Sequence, residues 1–497
     1  MKWIRFISIL CCLIVSFVSA QAQRSICLDL EETIRMANDS SLMAFRNENM
    51  YLSGYWEYRT YKAERLPSLS LDLVPSQYYR YITERYDSNL DHDVFRQQQM
   101  FSASGGLVMK QNFDLTGGTF YLESYMEYMR NFGNDKLTQF SSIPFRIGYS
   151  QDLMGFNPFR WDKKIEPLKF EKVKREFLYN SEQVAEEAVA SFFNLAMAPE
   201  QYQLAADNMA SSDTLYQIGK QRQKIAAISK ADMLTLQLDY VNARNTLENK
   251  KIALKRAMFS LASFLGLDKD TQIEIELPGF PRELIVPVED AIIMAKSNSP
   301  AILDHRQKIL EAERDVNKTK VESRLNANLN ISVGYNQVAD SFRYVYQGLL
   351  RQDLVSLTLS IPLVDWGVRK GRYNMAVNDL NVVKIAAQQA EVDLEKEVIM
   401  TVNDFNIQQN MITSAEEALD LATMAYDQTR QRFIIGKADI NSLTLSLNRQ
   451  QEAQKNYILA LQNYWLNYYK LRRLTLFDFR SGISLSDRFD YIHFNSR

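Results

Sequence analysis

Ser356-Leu357-Thr358-Leu359-Ser360-Ile361-Pro362-Leu363-Val364-Asp365-Trp366-Gly367 is the stretch on which the fold turns. Its first half alternates polar and apolar side chains with a period of two, the signature of a strand with one greasy and one polar face. A proline ends the alternation, and from Val368 to Arg497 the chain has no further proline. Along that tract Leu380, Val383, Ala387, Ala390, Leu394, Val398, Val402 and Phe405 recur at steps of three and four, which is helical spacing. A second series, Val382, Ile385, Val392 and Ile399, falls on an adjacent face. A helix from about Val368 to Arg432 would be roughly 95 Å long at ~1.5 Å per residue, far longer than a small domain is wide. Two stripes suit either a core helix in a soluble bundle or a wall helix with a neighbour on each side, as in a tube.

Working outward, the same strand-to-helix passage occurs earlier. Gln151-Asp152-Leu153-Met154-Gly155-Phe156-Asn157 resembles Ile361 to Gly367 at an offset of 210. Glu31 to Ala37 aligns with Glu289 to Ala295 at an offset of 258, each opening a helix, and Ser229-Lys230-Ala231-Asp232 matches Gly436-Lys437-Ala438-Asp439 at an offset of 207. Three echoes in one order make the chain two copies of one plan. The first copy spans 23–275, with strands at about 68–153 and a helical hairpin at about 161–265; the second spans 276–476, with strands at about 327–362 and a hairpin at about 366–474. The offset falls by 48 between the first two anchors and by only 3 thereafter, so the excess length of the first copy lies ahead of its long helix. A tail of mixed character, 477–497, follows.

Period-two alternation recurs between the helices. Leu69, Leu71 and Leu73 alternate with Ser68, Ser70 and Asp72; Leu329, Ile331, Val333 and Tyr335 alternate with Asn328, Asn330, Ser332 and Gly334; Phe101, Ala103, Leu107, Met109 and Phe113 face away from Ser102, Ser104, Lys110, Asn112 and Asp114. In a soluble sandwich the greasy face would pack on a second sheet, whereas in a membrane barrel it meets lipid while the polar face meets water. Aromatic groups (Tyr78, Tyr79, Tyr81; Phe342, Tyr344, Tyr346) fall at strand ends, where interfacial girdles sit. Tyr81 to Gln99, Asn131 to Ser142 and Val338 to Asp353 read as polar loops, and Thr116-Gly117-Gly118 as a tight turn. In the last helix Gln450, Gln451, Gln454, Gln462, Asn463 and Asn467 suit a wetted lumen and a solvated outer face equally.

Residues 1–22 carry Lys2 and Arg5, an apolar run from Ile7 to Val18 and Ala20-Gln21-Ala22, which reads as a secretory signal peptide. Its removal takes Cys11 and Cys12 away, leaves Cys27 alone and therefore allows no intramolecular disulfide. No later stretch approaches the ~20 apolar residues of a spanning helix, so membrane insertion would require a β-barrel. The 58 Lys+Arg against 60 Asp+Glu lack the basic excess of phosphate-backbone readers, so no nucleic-acid partner is expected. His92, His305 and His493 are too scattered for a zinc site, and no paired CxxC, HExxH or phosphate-loop motif occurs, so neither metal nor cofactor is expected. The acid pairs Glu186-Glu187 and Glu416-Glu417 are adjacent on helices, point in different directions and read as solvated faces rather than catalytic dyads.

The order helix, strands, long helix, tight turn, helix, all repeated, resembles the TolC-like outer-membrane efflux proteins over nearly the whole mature chain. The resemblance is carried by Arg65-Leu66-Pro67-Ser68-Leu69 at a helix-to-strand passage, by Leu359 to Gly367 at a strand-to-helix passage, and by Phe433-Ile434-Ile435-Gly436-Lys437-Ala438-Asp439 at a helical hairpin tip. It implies a mixed α and β fold in which long helical hairpins form a periplasmic tunnel and strands from a homotrimer close one outer-membrane β-barrel in lipid. It also implies a passive exit duct, without catalysis, engaged by an inner-membrane transporter and a periplasmic adaptor (membrane-fusion) protein. On that basis Gly436 ends one helix, Asp439 caps the next, and Asp232 does the same in the first copy. Asp439, Asn441 and Ser442 become candidates for the periplasmic mouth. Ile228, Lys230, Ile434, Ile435, Gly436 and Lys437 become candidates for adaptor docking, an apolar pair at a turn being more than capping needs. The acidic ring known in the family is not carried over, since the corresponding positions are Ser442 and Leu445. The family usually has two strands per repeat; here Leu107 to Leu115 and Thr119 to Phe132 are extra strand-like stretches, which either widen the barrel to six strands per chain or fold as an accessory hairpin. An alternative from another class is a soluble periplasmic coiled-coil scaffold or adaptor, in which the strands form a sandwich.

Overall fold

A computed structural model describes residues 25–497, apart from 88–90, 133–135, 226–228, 270, 280, 282, 436, 438–439, 488 and 490–497. The signal-like segment, Cys11, Cys12 and His493 lie outside the described residues. The first copy runs β1 (Ser25–Leu28), α1 (Leu30–Ser40), α2 (Leu42–Ala63), β2 (Ser68–Asp87), β3 (His92–Phe113), β4 (Gly118–Asn131), β5 (Thr138–Asp152), α3 (Pro158–Lys224) and α4 (Lys230–Phe264). Strand β6 (Gln272–Ile275) closes the first copy; the second runs α5 (Val288–Asn298), α6 (Pro300–Glu322), β7 (Asn326–Ala339), β8 (Leu350–Ser360), α7 (Val368–Ile434) and α8 (Ile440–Thr475), and the two-residue strands β9 (Phe477–Asp478) and β10 (Ile483–Ser484) follow.

The duplication is exact in length where it matters. Helices α1 and α5 have 11 residues each and start 258 apart; α3 and α7 have 67 each and start 210 apart. Local chemistry sets their starts. The Asp29 carboxylate accepts from the Glu32 amide at 2.7 Å to begin α1, and Ser41 both ends that helix and, through Oγ at 3.1 Å from the Ala44 amide, begins α2. Asp365 does the same for α7, accepting from the Gly367 and Arg369 amides at 3.1 Å each. Those two amides hold its carboxyl below the usual carboxylate range.

The chain divides into two units. The sheet unit, Ser53–Val173 with Ala301–Ala390, holds one six-stranded antiparallel sheet in the order β2-β3-β4-β5-β7-β8. Four of its strands come from the first copy and two from the second. Thr116-Gly117-Gly118 is the β3–β4 turn, with Gly117 at φ +80°. Three loop expectations are corrected. The segment 81–99 is mostly strand: β2 and β3 stay paired from Ser68–Lys110 out to Asp87–His92. Polar side chains on both faces hid that extension from a pattern search. Likewise β5 begins at Thr138 and β7 runs to Ala339, so the loops after β4 and β7 are shorter than read. The stretch 107–115 is no separate strand but the end of the 22-residue β3. Beside the sheet, Tyr58 stacks on Phe170 with centroids 4.6 Å apart, Lys169 pairs with Glu57, and Asp304 takes ion pairs from Lys172 at 3.0 Å and Lys308 at 2.7 Å.

The core unit, Met1–Leu52, Lys174–Pro300 and Glu391–Arg497, carries the buried core. Phe192 and Phe193 from α3, Val398, Val402, Phe405 and Ile412 from α7, and Ile458 and Leu461 from α8 are fully buried. Each large side chain so buried contributes roughly 1.5–3 kcal/mol. Strands β1 and β6 pair in parallel and join the start of the first copy to its end. The Asn406 amide bridges both backbone groups of Val286 at 3.1 and 3.0 Å, which satisfies a connecting segment that has no strand partner. The described tail is packed as well: Leu476 is buried, Tyr468 donates to Asp478 at 2.6 Å, and Phe489 meets Tyr51 edge-on at 5.5 Å.

Candidate functional site

Reading across the strand register separates the sheet into two chemistries. One row runs Leu69, Met109, Leu122, Ile147 and Val333 over five neighbouring strands, and another runs Phe120, Tyr149, Ile331 and Val355. Most of these side chains are exposed, Leu69 at 69% and Val355 at 73%, and no second sheet covers them among the described residues. Large contiguous apolar surface on a protein marks a membrane or protein contact. No described helix is long and apolar enough to cross a membrane.

The opposite face carries Ser70, Val108, Glu123, Arg146, Gly334 and Gln352 in one row, with Val108 its one large apolar member. Arg146 and Glu123 form a half-buried ion pair there, so the one prominent charge couple on that row neutralises itself. Tyr121 lies over Gly148 and Tyr125 over Gly106; a Cβ at either glycine would collide with the ring above it. These pairs let bulky side chains lie flat along the polar wall instead of standing out from it.

At the end of the sheet away from the helices, the β7–β8 connection folds back. Ser142 donates to the Val345 carbonyl at 2.7 Å and Gln337 to the Gln347 carbonyl at 2.6 Å, while the Tyr346 hydroxyl lies 3.8 Å from the Met126 sulfur. Val345 is thereby buried, whereas Phe342, Tyr344 and Tyr346 remain exposed. Ser142, Met126 and Gln337 share the face of Leu122 and Val333, so these aromatics rim the apolar side.

Helices α3 and α4 end and begin at Lys224 and Lys230, α7 and α8 at Ile434 and Ile440, so α4 and α8 start 210 apart. The 207 match of Ser229 to Asp232 with Gly436 to Asp439 is therefore three residues out of step, and Ser229 corresponds in position to Asp439. A second expectation changes with it: the cap of α4 is Ser229, not Asp232. The Ser229 hydroxyl accepts from the Asp232 amide at 3.0 Å and donates to the Asp232 carboxylate at 2.6 Å, a reciprocal capping arrangement. Of the tip candidates, Lys230, Ile435, Lys437 and Ser442 are exposed, Ile435 at 64%, and the Lys437 amide donates to the Arg432 carbonyl at 2.8 Å. Ile434 ends α7 and Asn441 lies in the first turn of α8. Ile228, Gly436 and Asp439 lie outside the described residues.

The two stripes of α7 part company. Val398, Val402 and Phe405 are buried, whereas Val382, Ile385 and Val392 of the second stripe are exposed, Val392 at 58%. The amides of α8 are mostly half-buried: Gln451 donates to Asp207 at 3.0 Å and Gln450 to Thr423 at 3.5 Å, so they bridge helices of their own chain.

One cluster was missed by sequence reasoning. Arg472 pairs with Glu182 at 2.8 Å, and Arg473 with Glu186 at 3.0 Å while donating to the Tyr179 hydroxyl at 2.7 Å. Glu186 is therefore an ion-pair member and not part of a solvated face; its partner is too far along the chain for any local pattern to show. Burial first, and then the hydrogen bond to Asp478, pushes the Tyr468 hydroxyl far up; burial pushes Tyr469 up to about 12 against the opposing pull of Arg472. Both tyrosines are neutral at any ordinary pH. No cluster of three or more His, Cys, Asp or Glu suited to a metal occurs among the described residues.

Residues 291–475 match a family model described as "Outer membrane efflux protein". No curated protein matches. Solved structures with the same fold include the Campylobacter jejuni CmeC outer membrane channel (12% identity, 92% of this chain and 86% of that one, TM-score 0.63). The outer membrane protein VceC of Vibrio cholerae is also similar (12% identity, 90% and 95%, TM-score 0.59), as is the open state of the Neisseria gonorrhoeae MtrE outer membrane channel (12%, 92% and 93%, TM-score 0.56).

Proposed function

We propose, for a chain with the fold of outer-membrane channels and the outer membrane efflux protein match in its second copy, that it is the outer-membrane exit duct of a tripartite efflux or secretion system. The TolC-like resemblance read from the sequence stands on the same two findings. Its place is the outer membrane, with the helical hairpins in the periplasm. The observation that carries the reading is the two-faced sheet: an exposed apolar face with aromatics at one rim, backed by a polar face with a self-neutralised ion pair. In a soluble scaffold that apolar face would need a covering layer.

The duct works as a homotrimer and conducts passively, without catalysis. The exposed second stripe of α7 supports the trimer, because a wall helix needs an apolar face for its neighbour in the next copy. An inner-membrane transporter supplies the energy, and a periplasmic adaptor docks on the tips at Ile228, Lys230, Ile434, Ile435, Gly436 and Lys437. Asp439, Asn441 and Ser442 line the periplasmic mouth. Light scattering of the protein purified from outer membranes, corrected for bound detergent, tests the assembly: a trimer recovered only with detergent is expected. A monomer or dimer recovered from the periplasm without detergent overturns the duct. For docking, Ile435→Asp is expected to abolish export while leaving the trimer intact; export at the wild-type level removes Ile435 from the docking surface.

A further inference from the structure

We propose that each chain contributes six strands to the barrel, so that three copies close an eighteen-stranded ring in which β2 of one copy pairs with β8 of the next. This rests on the trimeric, membrane-spanning duct proposed above, and adds a pore width that the resemblance alone does not imply, since two strands per repeat would give twelve.

Three observations carry it. First, β3 and β4 are interior strands. They stand between β2 and β5 with continuous ladders on both sides, and the apolar row from Leu69 to Val333 crosses them without a break. An accessory hairpin hanging from a four-stranded sheet would instead leave β2 against β5. Second, the free edge at β8 is that of a sheet meant to be continued, whereas the β2 edge is interrupted by Pro75 at its bulge between Val74 and Gln77. Strand β8 is exposed at all but two of its positions, and Leu354 to Ser360 carries neither charge nor proline. Natural edge strands that stay unpaired are normally blunted by lysine, proline or a covering segment. Third, the directions fit. Strand β2 leaves α2 and β8 enters α7, so the two edges run oppositely and, with six strands per chain, a copy-to-copy junction continues the antiparallel ladder. Heterologous edge pairing of this kind closes into a ring when the rotation permits.

Barrel diameter grows roughly linearly with strand number, so the ring is about 1.5 times as wide as a twelve-stranded one, in the range where barrels leave an open aqueous channel. The polar wall suits an open lumen: Tyr121 and Tyr125 lie flat over glycines and the Arg146–Glu123 couple is neutralised in place. The barrel is accordingly not the size filter of the duct, and bulky polar solutes pass it.

Electron cryo-microscopy of the mature full-length protein in lipid nanodiscs counts the strands directly. Eighteen strands, with β2 and β8 of different copies in contact, is the expected result. A trimer with a twelve-stranded ring and the His92–Asn131 segment outside it overturns the six-strand assignment and leaves the duct standing. No bilayer-spanning ring at all overturns the duct reading, and the strand count with it.

Discussion

The sheet unit and the core unit use the same apolar residue types in opposite ways. In the core unit Phe192, Phe193 and Phe405 are sealed from solvent; in the sheet unit Leu71, Ile147 and Leu357 stand at about half exposure or more. Burial drives folding because the alternative is water. Where apolar side chains are held outward in rows that cross several neighbouring strands, the surroundings that suit them are not water. The helices obey the same rule at finer scale, α7 turning one stripe inward and leaving the other open.

Substitutions can break that contrast, beginning with the largest effect. Phe405→Ala is expected to cost about 3–5 kcal/mol in chemical unfolding, as truncation of a sealed aromatic does. A loss below 1 kcal/mol would mean the core is looser than drawn. On the sheet, Ile147→Arg in lipid is expected to cost roughly 2–4 kcal/mol, the penalty of a cation facing the bilayer interior. A water-facing site would tolerate it within about 0.5 kcal/mol, so unchanged stability in lipid places that face in water.

Alkaline titration sharpens the core side. Tyr469 is raised from the ordinary tyrosine value of 10.0 to about 12 in the folded chain. A phenol whose folded pKa lies above its unfolded one stabilises fully below pH 10 and loses that contribution as pH rises through 12. About 2–3 kcal/mol is at stake, read from unfolding midpoints together with tyrosinate absorbance, and a Tyr469→Phe variant should lack that part of the loss. Smallest is Ser229→Ala at the first hairpin tip, expected to remove about 1 kcal/mol of helix capping, seen as faster amide exchange in the first turn of α4 with the rest of the chain unaffected.

Much of this was written in local pattern. The offsets of 258 and 210 equal the spacings between the starts of the paired helices, though the hairpin ranges read at about 161 and 366 missed the starts at Pro158 and Val368 by two or three residues, and the two stripes of α7 foreshadowed one buried and one open face. What escaped was written in partners. Arg80 to Gln99 scatters a few apolar residues such as Ile82, Val94 and Phe95 among polar ones without a steady period of two, so only hydrogen-bond pairing reveals the strands. Arg472 meets Glu182 across 290 residues of chain, which no window sees. The 207 match differs from the 210 between the starts of α4 and α8 because the similar letters SKAD and GKAD outweighed the spacing of the helices. Extra strand-like stretches were legible, but whether they joined the sheet depended on β3 pairing with β2 and β4 pairing with β5, which no local pattern shows.

The contrast between the two units rests on which medium meets the apolar face, and cysteine labelling in reconstituted vesicles asks that directly. In a Cys27→Ser background, Ile331→Cys and Asn330→Cys lie next to each other on β7 and point to opposite faces of the sheet. The account predicts that a membrane-impermeant maleimide modifies the Asn330→Cys variant and spares Ile331→Cys until detergent is added. Equal modification of both in the intact vesicle would contradict it.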